Sequence, residues 1–149
     1  MMNKPPAPPS PISLDHHKIK SPSRAELRAL IEGVGGTDAF QKILVKFYQR
    51  MASDIMIGFF FAGHDTTHIA HQQAKFILNA AGLIDRFEGK GPASAHVSLP
   101  PILNGHFDRR LILLRETLAD TGISEGWMEK WIQFEESFRA QVVAPLPNS

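Results

Sequence analysis

Apolar residues recur at intervals of three and four along most of this chain. Leu27, Leu30 and Ile31 make a narrow stripe, and Phe40, Ile43, Leu44, Phe47 and Tyr48 make a broader one. Ile69, Gln73, Phe76, Ile77 and Ala80 share a third face, and Leu111, Leu114 and Leu118 a fourth. Trp127, Trp131, Phe134, Phe138 and Val142 form a wide fifth. Such spacing puts side chains on one side of a helix, so each run predicts an amphipathic helix with that side inward. No stretch shows the strict alternation of a half-buried strand.

The residues between the runs supply starts and stops. Ser21-Pro22-Ser23 offers a hydroxyl cap and an early proline for the first helix, and Gly33, Gly35 and Gly36 stop it. Thr37 is expected to cap the second helix, which runs to about Ala52, and Asp54 a short turn ending in Phe59-Phe60-Phe61. A bend over residues 63–67 precedes a helix over about 65–80, which Ala81-Gly82 ends. Asn104 is expected to cap a long helix closed by Gly122; Ser124 opens the last one and Pro145 ends it. The expected fold class is all-α.

Two stretches do not suit a helix. Residues 1–20 hold Pro5, Pro6, Pro8, Pro9 and Pro11, which remove amide donors, so they are read as a proline-rich arm without fixed structure. Residues 86–101 hold Gly89, Gly91, Pro92, Pro100 and Pro101 and are read as an irregular connection. The expected organisation is one folded domain over 21–144, with a short tail over 145–149.

Composition narrows the function. A formal charge of +1 leaves no basic field for nucleic acid. The hydrophobic fraction of 43% is ordinary for a globular chain, and no apolar run reaches the roughly 18 residues of a membrane span. Cysteine is absent, which removes disulfides and thiolate chemistry, and a reducing cytoplasm is the expected home. No G-x-G-x-x-G fingerprint for a flavin or nicotinamide nucleotide occurs.

What remains is a small set of polar groups in apolar surroundings. Tyr48, the one tyrosine, closes a stripe of phenylalanine and leucine, and Gln73 shares a face with Ile69, Phe76 and Ile77. An unpartnered buried polar group costs roughly 1–3 kcal/mol, so such groups need a partner. His96 stands in the Gly- and Pro-rich connection, where an imidazole can be re-aimed.

An ordered set of motifs then carries a resemblance over about residues 26–143. It comprises Ile31-Glu32-Gly33-Val34-Gly35-Gly36, Phe47-Tyr48, Phe60-Phe61-Ala62-Gly63 and His71-Gln72-Gln73-Ala74-Lys75-Phe76. Phe87-Glu88-Gly89, Ala95-His96 and His106-Phe107-Asp108-Arg109 continue it. Together they resemble the truncated haemoglobins, short globins with a two-over-two helical sandwich around one haem. Up to His96 the chain resembles the first subgroup of that family. His96-Val97-Ser98-Leu99-Pro100-Pro101 and the segment from His106 resemble the third.

The resemblance implies haem b, with no paired cysteines for covalent attachment, and assigns roles. His96 would be the proximal iron ligand, with Tyr48 and Gln73, or its neighbour Gln72, as polar groups facing a bound ligand. Phe61, Ile69 and Phe76 would contact the haem, and Lys75 and Arg86 would pair with its propionates. His68 or His71 is a candidate sixth ligand in the absence of gas. Where the third subgroup usually has a pocket tryptophan, this chain has Arg110. An arginine there must reach a propionate or a bound anion, or the helix must turn so that Leu111 takes the inner place.

The implied function is binding of O2, and of NO or other diatomic ligands, at the iron. A polar distal pair implies slow O2 release, which suits NO-detoxifying or peroxide chemistry more than transport. Such activity would need an external reductase. The second reading is a haem-based gas or redox sensor, or an electron-transfer protein with two histidines on the iron.

Overall fold

A computed structural model describes residues 21–87 and 100–144; the expected proline-rich arm, the tail and His96 lie outside the described residues. The described residues form helices and turns without a strand. Helix α1 spans Arg24–Gly33 and starts where the hydroxyl cap was expected. Ser23 Oγ accepts from the Glu26 amide at 3.1 Å, while a Glu26 carboxylate oxygen accepts from the Ser23 amide at 2.9 Å. This reciprocal pair satisfies two of the amides that every helix start leaves free.

Helix α2 spans Thr37–Ala52, but Thr37 is not its cap. The chain turns through Gly35 and Gly36, with φ of 118° and 102°, and Gly36 occupies the cap position with no side-chain bond. Only glycine adopts these angles without strain, so the turn is set by backbone conformation and the threonine hydroxyl is left unused. A single 3₁₀ turn, Gly58–Phe61, follows. Asp54 accepts from the amides of Met56 and Ile57 at 3.0 and 3.2 Å, which makes it the expected cap of that segment.

Helix α3 spans Thr66–Ala80, with Asp65 accepting from the amides of Thr67 and His68. Its core face is Ala70, Ala74, Ile77, Leu78 and Ala81; Ala80, expected inward, is exposed. Ile69, Gln73 and Phe76 stand beside that face and are half-buried. The helix therefore serves two environments, and the sequence pattern merged them.

Helix α4 spans Asn104–Thr121. Asn104 is its first residue, and the start is tied instead by His106 Nδ1, which accepts from the Leu103 amide at 3.0 Å. Gly122 ends it at φ 77°, the left-handed stop expected of a glycine there. Helix α5 spans Glu125–Glu136, with Ser124 as its cap, and α6 is the short piece Arg139–Val142. The single last helix that the apolar stripe suggested is thus broken at Ser137 and Phe138. The Ser137 hydroxyl donates back to the Phe134 carbonyl, which competes with the helical ladder.

Two helix pairs result: α2 packs on α3, α4 packs on α5, and α2 meets α4 between them. Helix α1 touches α2, α3 and α5. At the centre Phe40 stacks on Trp131 with centroids 4.7 Å apart, surrounded by Leu44, Leu114 and Leu118, all fully buried. Each such aliphatic or aromatic side chain contributes on the order of 1.5–3 kcal/mol. Arg28 reaches from α1 to the Ala81 and Gly82 carbonyls, filling acceptors that the end of α3 leaves open.

Candidate functional site

The second environment of α3 is a cavity of about 290 Å³ bounded by α2, the 3₁₀ turn, α3, α4 and the chain around α5 and α6. Met51, Ile57, Phe60, Phe61, Ile69 and Phe107 supply apolar wall. Tyr48 enters from α2, Gln72 and Gln73 from α3, Arg110 from α4 and Glu135 from α5. Tyr48 is 6% exposed and sits edge-on to Phe47 and Phe61, with centroids 5.6 and 5.9 Å away. The two aromatic contacts hold its ring and leave the hydroxyl at the cavity.

Beside that hydroxyl lies the guanidinium of Arg110. Its Nε and Nη2 donate to one Glu135 oxygen at 3.1 and 2.9 Å. Nη2 also reaches the Tyr48 oxygen at the long limit of 3.5 Å, and the one hydrogen-bond partner of Nη1 among the described residues is the Met51 sulfur, at 3.4 Å. The plane stands over the Phe47 and Tyr48 rings, 4.9 and 5.5 Å from their centroids, where the aromatic faces favour a cation. Burial works against the charge, but the attraction of Glu135 and the contact with Tyr48 outweigh it, so the guanidinium holds its proton more firmly than usual. The inward turn of Leu111 allowed by the sequence does not occur: Arg110 faces the cavity and Leu111 is half-buried elsewhere.

Glu135 is the site residue that sequence reasoning missed. The signal was present, since Trp131, Glu135 and Phe138 follow the i, i+4, i+7 spacing of one helix face. A carboxylate in the middle of an apolar face needs a cation, and the cation is Arg110, 25 positions earlier.

Of the residues expected around a ligand, Tyr48, Phe61, Ile69, Gln72 and Gln73 meet at this cavity. Phe76 lies outside its lining and packs edge-on to Phe87, with Phe138 beyond. Lys75 and Arg86 are exposed. Of the α3-side histidines, His64 reaches the cavity, whereas His68 is exposed and His71 half-buried away from its lining. His106, whose Nδ1 ties the start of α4, also borders the cavity.

A family model for bacterial-like globins matches residues 29–144. The chain is 35% identical over 102 residues to the group 1 truncated hemoglobin GlbN of Synechocystis sp., covering 66% of this chain and 82% of that one. It belongs to the truncated haemoglobin family. The solved truncated hemoglobin of Tetrahymena pyriformis superposes with a TM-score of 0.69 at 25% identity, over 78% of this chain and 98% of that one. The 2/2 hemoglobin of Synechococcus sp., solved in the cyanomet state with covalently attached heme, gives 0.63 at 26% identity, over 75% and 94%.

The two helix pairs described above are therefore the two-over-two sandwich, and haem is the family's cofactor. The cavity suits that group. A flat, largely apolar ring needs aromatic and aliphatic walls, which Phe60, Phe61, Ile69 and Phe107 provide, and a polar cluster on one side to meet a small ligand.

Proposed function

We infer that this truncated haemoglobin binds haem b in the cavity and takes O2, and NO or related diatomics, on the side of Tyr48 and Gln73. The observation that carries the reading is the meeting of Tyr48, Gln73, Phe61 and Ile69, from three separate segments, at one apolar cavity. His96 is the proposed iron ligand. Further support comes from solved variants of the Tetrahymena pyriformis protein, which exchange one tyrosine and two glutamines. Those glutamines follow the tyrosine by 21 and 25 positions. In this chain Ile69 and Gln73 follow Tyr48 by the same intervals, so tyrosine and the second glutamine recur and an isoleucine replaces the first.

Haem iron, when bound, supplies reversible coordination of a diatomic gas and one-electron chemistry. The protein supplies the rest. Tyr48 donates its hydroxyl hydrogen toward the ligand, Gln73 offers an amide, and the apolar walls exclude water, so each hydrogen bond acts in a low dielectric. Replacing Gln by Ile69 removes one donor from the α3 side. Repeated turnover on NO would draw electrons from an external reductase.

The test is a spectrum. Purified protein mixed with hemin is expected to give a strong Soret band, and His96→Ala is expected to weaken or shift it. A colourless protein, or a band indifferent to that substitution, would refute the assignment.

A further inference from the structure

We propose that Arg110, with the Tyr48 hydroxyl, forms an anion subsite in the ligand pocket, and that Glu135 sets its strength from behind. This rests on the haem-pocket reading above and adds the charge class of ligand that the site selects.

The argument begins with the spare valence of the guanidinium. An arginine carries five N–H groups. Nε and one Nη2 hydrogen serve Glu135, the other Nη2 hydrogen serves Tyr48, and Nη1 has only a thioether sulfur among the described residues. Sulfur is a weak acceptor, so at least one N–H is free for a stronger partner. Because Tyr48 oxygen lies against Nη2 as an acceptor, its own hydrogen is released to point at the same ligand. Two donors, one of them charged, then converge on the cavity.

The layout of charge matters as much as the donors. The Arg110 side chain is 17% exposed and the Glu135 side chain 2%, so the cation fronts the cavity and the carboxylate backs it. Glu135 is the only carboxylate that borders the cavity among the described residues; His64 and His106 are the other titratable groups there besides Tyr48. Glu135 Oε1 is buried with no hydrogen-bond partner among the described residues, so its charge is uncompensated except through Arg110. An incoming anion thus meets a cation first and feels Glu135 as a partial counterweight. Removing the two members of the pair should shift anion affinity in opposite directions.

The experiment uses ferric holoprotein titrated with azide and with nitrite, followed by the Soret shift, with CO on the ferrous form as the uncharged reference. Arg110→Met is expected to lower azide and nitrite affinity roughly tenfold or more, the scale of one charged hydrogen bond. Glu135→Gln, which keeps the volume and removes the counter-charge, is expected to raise it several-fold. CO affinity should stay within about threefold in both. If Arg110→Met does not take up haem, the double substitution Arg110→Met with Glu135→Leu leaves no unpaired charge and carries the same expectation of weaker anion binding. Shifts in the same direction for both single variants, or CO affinity moving as far as azide, would overturn the proposal while leaving haem binding intact. Absence of a Soret band in the unsubstituted protein would instead end the haem-pocket reading, and the subsite with it.

Discussion

Arg109 and Arg110 are adjacent, yet the roughly 100° step between neighbours on a helix sends them to different partners. Arg110 turns into the cavity toward Glu135, whereas Arg109 turns to the loop before the 3₁₀ turn and donates to Asp54 at 3.1 and 2.7 Å. That loop forms the wall next to Phe60 and Phe61, so the Asp54 carboxylate holds part of the pocket in place. The hydrogen bond from Arg109 keeps the Asp54 carboxyl below its usual value, against the opposing effect of burial, with the Met56 and Ile57 amides assisting. A carboxyl depressed in the folded state stabilises the fold above its unfolded value, about 3.9, and loses that contribution as pH falls through its folded value. Thermal melts of the protein and of Asp54→Asn are therefore expected to differ at pH 7 and to converge below about pH 4. A gap that persists unchanged at pH 3 would show that the charge is idle. Tyr48 and Gln73 were visible in the sequence because a polar group stood inside an apolar stripe. Glu135 carried the same mark, standing between Trp131 and Phe138, but its pairing with Arg110 spans 25 positions, a distance at which sequence carries no local mark.

At the scale of the element, helix starts divide by mechanism. Ser23, Asp65 and Ser124 cap with their own side chains, and Ser23 and Ser124 were readable from residue type. The starts of α2 and α4 use glycine backbone angles and a histidine three positions on, and there the reading chose the wrong residue. The end of α1 shows a packing demand that spacing does not reveal. A methyl group at Gly33 would fall 2.2 Å from the Trp127 ring, so α1 and α5 approach as closely as they do only because this position lacks a side chain. Trp127 is a large ring packed against the core, so relief requires moving α1 or α5 bodily. Gly33→Ala is expected to destabilise the protein by about 1–3 kcal/mol, the usual penalty for overpacking. Urea unfolding followed by circular dichroism checks this, and a midpoint equal to that of the unsubstituted protein would mean that the two helices separate freely.

At the scale of the molecule, the described residues form a close-packed half and a half that borders the cavity. Phe40, Trp131, Leu44, Leu114 and Leu118 close the first half without help and do not border the cavity. The 3₁₀ turn and the Ile69–Gln73 side of α3 border the cavity, and Phe59, Ile55 and Met56 nearby are exposed. A group that fills the cavity binds the folded state alone and stabilises it by mass action, by about 4 kcal/mol at a thousand times its dissociation constant. For a domain of this size that corresponds to a rise of roughly ten degrees or more in thermal midpoint. Removing haem should lower the midpoint by that order, and the loss should be uneven. Amide exchange is expected to accelerate in the 3₁₀ turn and the first half of α3, where the contacts vanish, and to change least around Phe40 in α2 and Trp131 in α5. Uniform acceleration across all helices would mean that the two halves unfold as one unit and that the core does not stand on its own. Equal protection with and without hemin would mean that the cavity is not where the cofactor binds.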